Sequence, residues 1–164
     1  MTISGLGPHG ERASPPERVS LLPEDLAAAR AATRRVAIVL HTLDGDWTKQ
    51  QISGMLGIFG DCGVVVTEVI DCGFSVNRQV SELDRLIVAA PDAIVALPVA
   101  NEQVAAAFRR VSESGIRLIL LENVPTGLLP GKHYTSLVSS DNFGLGKMAA
   151  AGLAPHLVEG AAVG

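Results

Sequence analysis

Polar side chains suited to chemistry bunch in three clusters, and each follows a short apolar run. They are His41-Thr42-Leu43-Asp44-Gly45-Asp46-Trp47, Pro98-Val99-Ala100-Asn101 and Glu122-Asn123-Val124-Pro125. Carboxylates such as Asp44 and Glu122 accept strong, charge-assisted hydrogen bonds from hydroxyl groups. The amides of Asn101 and Asn123 both donate and accept. Trp47 is the single tryptophan. Its indole offers a flat apolar face with a donor at the tip, which suits the C–H face of a sugar ring. His41 and Thr42 end the first apolar run beside it, and Asp141 adds a further carboxylate. Such a set fits a polyhydroxylated ligand. Blander roles stay open: Trp47 as a core anchor for a helix, His41 as a structural histidine, Asp141 as a helix cap, Glu122 as a solvated acid.

Catalysis finds little support. No G-x-S-x-G elbow occurs, and no nucleophile is paired with a base. His9, His133 and His156 are scattered. Asp44 and Asp46 suggest the acidic pocket of a phosphoacceptor domain, but such a pocket needs an aspartate after the third apolar run, where Leu97-Pro98 stands. Gly144-Leu145-Gly146-Lys147 lacks Walker spacing, and a dinucleotide fingerprint is absent. No catalytic residue, metal site or cofactor is expected. Cys62 and Cys72 flank an extended run that would hold them roughly 25–30 Å apart, beyond disulfide reach. Two cysteines without histidines at ligand spacing make no zinc site.

The bulk properties narrow the class. A chain of 164 residues is long enough for one domain with a real core. A composition 48% hydrophobic and 18% charged suits a parallel sheet covered on both faces. The formal net charge is -4 and no basic stripe exists, which argues against a nucleic-acid partner. No run reaches the ~18 apolar residues of a membrane span, so direct membrane insertion is not expected. Residues 1–22, rich in Gly, Pro, Ser and charge, read as disordered. They lack the apolar core of a signal peptide.

The elements that must position the clusters follow from periodicity. Pro23-Glu24-Asp25 opens a short helix over residues 23–34. Strands are expected at residues 36–40, 64–70, 93–97, 116–121 and 135–138. Helices alternate with them. One has Ile52, Met55, Leu56 and Phe59 on its inner face and Asp46 as its N-cap. The next has Val76, Val80, Leu83 and Ile87 inside, capped by Ser75. A third has Val104, Phe108 and Val111 inside, capped by Asn101. The last is capped by Asp141 or Asn142 and runs to about residue 157. A sixth strand begins at residues 161–164. The fold class is α/β, an open doubly wound parallel sheet with strand order 2-1-3-4-5. Ligands bind such sheets outside the carboxyl ends of the strands, where the order reverses, and the first and third strands meet there.

Residues 35–164 resemble the N-terminal lobe of the type I periplasmic sugar-binding proteins of ABC transporters, the ribose-binding-protein group. Lactose-repressor-type regulators share this effector-binding fold. The marks are Val36-Ala37-Ile38-Val39-Leu40-His41-Thr42 running into Asp46-Trp47, then Pro91-Asp92-Ala93-Ile94, Gly115-Ile116-Arg117-Leu118, and Val138-Ser139-Ser140-Asp141-Asn142-Phe143-Gly144-Leu145-Gly146. The resemblance implies a periplasmic-binding-protein-like I lobe with no enzyme activity and a sugar or polyol in its cleft. It also implies a transporter permease as partner and a location in the periplasm or outside the cell envelope. By resemblance Trp47 stacks on the sugar, with His41, Thr42 and Asp44 lining the same loop. The family's Asp-Arg after the fourth strand reads Glu122-Asn123 here, so the acid is kept and the arginine lost. A second aromatic commonly follows the first, and Thr48 takes its place. In the family two lobes close around a hinge, so the resemblance implies one lobe ending before that hinge. An exposed apolar edge and binding weaker than micromolar are expected of such a lobe alone. The alternative is the effector domain of a lactose-repressor-type regulator. Its upstream helix-turn-helix has no counterpart in residues 1–34, although the missing signal peptide favours it mildly.

Overall fold

A computed structural model describes residues 5–157. They fall into two units, one of residues 21–138 and one formed by the described parts of residues 1–20 and 139–164.

The larger unit is built on five strands: β1 (Arg35–Leu40), β2 (Val65–Asp71), β3 (Ala93–Ala96), β4 (Arg117–Leu121) and β5 (Ser136–Val138). They form one sheet in the order β2-β1-β3-β4-β5, and every neighbouring pair is parallel. This is the order expected from the sequence. Four helices belong to this unit: α1 (Pro23–Ala32), α2 (Asp46–Asp61), α3 (Val76–Ala89) and α4 (Ala105–Glu113).

Alternation along the strands explains the layers, because successive side chains point to opposite faces. Ala37, Val39, Ile94, Ala96, Leu118 and Leu120 face α3 and α4, where Leu83, Leu86, Val104, Phe108 and Val111 complete the larger core. Val36, Ile38, Leu40, Val95, Leu97 and Leu121 form the other core with Ile52, Met55 and Phe59 of α2. Both faces of β1 are therefore covered, and Val36 to Leu40 are all buried. Each fully buried Leu, Ile or Phe contributes about 1.5–3 kcal/mol relative to exposure. At the amino end of β1, Asp92 accepts from the Arg35 amide at 2.8 Å and from Arg34 at 2.8 Å. The Arg35 amide, then the Arg34 guanidinium, hold the Asp92 carboxyl below its usual range. The edge strands β2 and β5 leave Val65 48% and Val138 56% exposed.

Several local expectations are corrected. Asp46 is not the N-cap of α2 but its first helical residue. Gly45 is the cap: it sits at φ 99, ψ 149, a conformation open essentially to glycine, and its carbonyl accepts the helical bond from Lys49 at 3.2 Å. Leu56 is 43% exposed, because only the narrower stripe of Ile52, Met55 and Phe59 meets the sheet. Asn101 does not cap α4, which starts after Val104. An N-cap carbonyl must accept the first intrahelical bond, whereas that of Asn101 accepts from Thr126 at 2.9 Å. Strand β2 is shifted one residue later than expected, and β3, β4 and β5 are each one residue shorter.

Ser75 caps α3 as expected, its hydroxyl accepting from the Arg78 amide at 3.2 Å. Cys62 and Cys72 are unpaired, buried thiols, and burial pushes the Cys72 thiol up to about 11, which keeps it protonated and inert.

In the smaller unit, α5 (Asn142–Leu153) is followed by a 3-10 turn, Ala154–His156. Asp141 is the cap: its Oδ1 accepts from the Gly144 amide at 2.9 Å and from the Gly5 amide at 3.0 Å. The amino-terminal segment carries more local structure than its composition implies, with a bridge between Leu6 and Arg12 and a 3-10 turn, Pro16–Arg18. The sixth strand expected at residues 161–164 lies outside the described residues. Among the described residues no helix is long and apolar enough to cross a membrane, and no group of three or more His, Cys, Asp or Glu is placed to hold a metal ion.

Candidate functional site

Parallel strands put all their carboxyl ends on one edge, and β1 and β3 are the neighbours from which the chain departs in opposite directions. Ligand sites form at that switch point. The β1 loop starts with His41, and Thr42 behind it is 6% exposed. The Thr42 hydroxyl accepts from the Asp44 amide at 3.1 Å, a side-chain turn that bends the chain toward Gly45. Trp47 follows on the first turn of α2. Its indole is 48% exposed, so it does not serve as a core anchor. It meets the His41 ring edge to face, with centroids 6.2 Å apart and planes at 75°.

A second aromatic lies on the other neighbour of β1. Phe74, in the turn from β2 to α3, packs edge-on against His41 at 4.9 Å and 78°. His41 is thus held by two rings, and among the described residues its buried Nδ1 has no hydrogen-bond partner. Burial lowers its pKa from the ordinary 6.5, and the Asp71 carboxylate opposes that shift. The imidazole is therefore neutral near pH 7.

The β3 loop is fixed by Gln79 of α3, which is fully buried. Its Nε2 donates to the Leu97 carbonyl at 2.9 Å, and its Oε1 accepts from the Val99 amide at 2.9 Å. These partners are two residues apart, so the side-chain amide acts as a peptide group would in a strand ladder. It extends the pairing of β3 beyond the end of β1 and sets the path of Pro98 and Ala100 toward Asn101.

The β4 loop begins with Glu122 at φ 60. Its amide donates to the Val138 carbonyl at 2.9 Å, which ties the turn to β5. Asn123 follows, exposed, with its amide donating to the Leu121 carbonyl at 2.6 Å. With strands spaced about 4.8 Å apart, the loops after β1, β3 and β4 lie along one rim. The structure thus sets His41, Thr42 and Asp44 in one loop with Trp47 on the helical turn that follows it, and sets Asn101 and Glu122-Asn123 after the next two strands. Asp141 belongs to the smaller unit and serves there as a cap.

Phe74 and Gln79 are the site residues missing from the sequence reading. Phe74 had a signal, an aromatic directly after a glycine in the turn that follows a strand. Gln79 had a fainter one, a polar residue on the apolar stripe of Val76, Val80 and Leu83.

No curated protein matches the chain. Among solved structures, a carbohydrate transporter solute-binding protein from Agrobacterium radiobacter, in complex with D-arabinose, is 24% identical over 76% of this chain and 41% of its own, with a TM-score of 0.66. An ABC transporter solute-binding protein from Agrobacterium vitis, with bound allitol, is 25% identical over 75% of this chain and 40% of its own, with a TM-score of 0.63. The periplasmic component of an ABC-type sugar transport system from Hahella chejuensis is 20% identical over 75% of this chain and 44% of its own, with a TM-score of 0.66. The chain spans less than half the length of these proteins. The strand order and the match of residues 36–164 to the family model agree: the chain belongs to the periplasmic binding protein domain family.

Proposed function

We propose that this chain is a ligand-binding lobe of a solute-binding protein that delivers an uncharged sugar or polyol to an ABC transporter. The observation that carries the reading is the half-exposed Trp47 indole, braced edge-on by a neutral His41 at the switch point of the sheet. An exposed, oriented indole suits the C–H face of a sugar. Asp44 and Glu122 accept hydrogen bonds from its hydroxyls, and Thr42, Asn101 and Asn123 add short polar groups of both kinds. The loops at residues 41–47, 71–75, 97–101 and 122–125 hold Asp44, Asp46, Asp71 and Glu122 and no Lys or Arg. That balance disfavours sugar acids and sugar phosphates, which need cationic partners. The ligand is captured and released unchanged, with no bond made or broken.

Proteins that share the fold hold D-arabinose and allitol, an aldose and an alditol. They are transport proteins rather than regulators, which supports the importer reading over the effector-domain alternative. A permease partner and a periplasmic location complete the proposal.

Thermal unfolding against a panel of pentoses, hexoses and alditols tests it. All of these raise the melting point together at high concentration, because they are excluded from protein surfaces. A ligand at ten times its Kd adds about 1.4 kcal/mol, a further rise of ~3–6 °C. One or a few stereoisomers are expected to exceed the common rise, and sugar acids are not. An identical rise for every stereoisomer contradicts the proposal.

A further inference from the structure

Phe74 carries two local disadvantages. Its ring is 66% exposed, and its backbone lies in the left-handed region at φ 57, where a bulky side chain is uncommon. The turn itself does not need an aromatic ring. Gly73 is also left-handed, at φ 54, and its amide donates to Asp71 Oδ1 at 2.8 Å. The Cys72 amide donates to the Leu40 carbonyl at 2.9 Å, and the Phe74 amide donates to the His41 carbonyl at 2.7 Å. Backbone bonds therefore fasten this turn to the end of β1. Glycine or asparagine at position 74 would make the same bonds with less strain. Strained residues held by a well-determined surrounding tend to mark function. What the phenyl ring adds is its place, in edge-on contact with His41, whose ring also meets Trp47.

We propose that Phe74 is a ligand-contact residue. Its ring and the Trp47 indole flank His41 along the carboxyl ends of β2 and β1 and supply two apolar surfaces for the C–H faces of one bound sugar or polyol. This rests on the sugar-binding reading above. The loops that hold these rings contain no cation, so the ligand that spans them is uncharged.

The test compares Phe74→Gly, Phe74→Asn and Phe74→Tyr with the parent protein in two measurements, melting temperature and affinity for the sugar or polyol that raises the parent's melting point most. The Gly and Asn variants are expected to melt within about 3 °C of the parent, because relief of backbone strain offsets the lost ring contact. Their affinity is expected to fall about tenfold, while Tyr stays within about threefold. Unchanged affinity in the Gly and Asn variants overturns the proposal and makes Phe74 a packing cover for His41, which a fall in melting temperature would accompany. A parent protein that binds no sugar or polyol overturns this proposal and the sugar-binding reading together. A parent that binds while the Phe74 variants bind equally well overturns this proposal alone.

Discussion

Replacing Trp47 with alanine is expected to weaken sugar binding by at least ~30-fold, equivalent to about 2 kcal/mol, the scale of a dominant aromatic contact. Stability is expected to move little. The indole is 48% exposed, and it meets the His41 ring edge-on. Alanine is also a better helix former in the first turn of α2, which offsets part of that contact. Trp47→Phe keeps a flat apolar face and is expected to retain most of the affinity. Calorimetric titration of the three proteins, beside their melting curves, reads both quantities. A Trp47→Ala protein that melts far below the parent and binds as well as it would make the indole a structural anchor.

The largest expected stability effect comes from Gln79→Leu. The substitution removes both hydrogen bonds to the β3 loop and leaves the Leu97 carbonyl and the Val99 amide without a partner. A buried polar group stripped of its partner costs about 1–3 kcal/mol, so the two together are expected to cost ~3 kcal/mol, a drop in melting temperature of roughly 10 °C. Gln79→Glu separates the two bonds. Its carboxylate still accepts from the Val99 amide but meets the Leu97 carbonyl with a lone pair. Protonation turns that contact into a donated bond. Burial raises the pKa of the introduced acid above its unfolded value, so the folded state takes up a proton that the unfolded state lacks. The Glu variant is therefore most stable at low pH and loses stability as pH rises through the folded pKa. Urea unfolding between pH 4 and 8 measures both effects. A loss below 1 kcal/mol for Gln79→Leu would mean that the loop does not depend on the amide.

The framework of this fold was legible in the sequence because its signals are collective. β1 is a continuous apolar run buried on both faces, and α3 and α4 each show one apolar stripe, so the alternation and the strand order follow. The errors fall where a single backbone bond decides. Asn101 has the right side chain for a cap, but its carbonyl is committed to Thr126. Asp46 looks like a cap, but the positive-φ conformation of Gly45 sets the helix start. The rim of polar loops was legible for the same reason as the framework, since polar clusters after apolar runs mark strand ends. The contacts across it were not. Phe74 reaches His41 from the neighbouring strand's loop, more than 30 positions along the chain, and periodicity carries no trace of such a pairing. Gln79 was hidden by its own stripe, where an apolar residue is the default and a buried amide bonded through both its nitrogen and its oxygen is the exception.

Stacking of a sugar or polyol on Trp47, as proposed for the carboxyl edge of this sheet, is open to direct observation. Because the chain holds one tryptophan, its indole N–H gives one resonance in an amide-correlation NMR spectrum. Titration with the sugar or polyol that raises the melting point most, up to tens of millimolar, reads that resonance even where binding is weak. A saturable shift of the indole signal is expected together with the amides of Asp44, Phe74 and Asn101, and none with a stereoisomer that leaves the melting point at the common rise. An indole resonance unmoved by every sugar and polyol tested, or moved equally and without saturation by all of them, contradicts it.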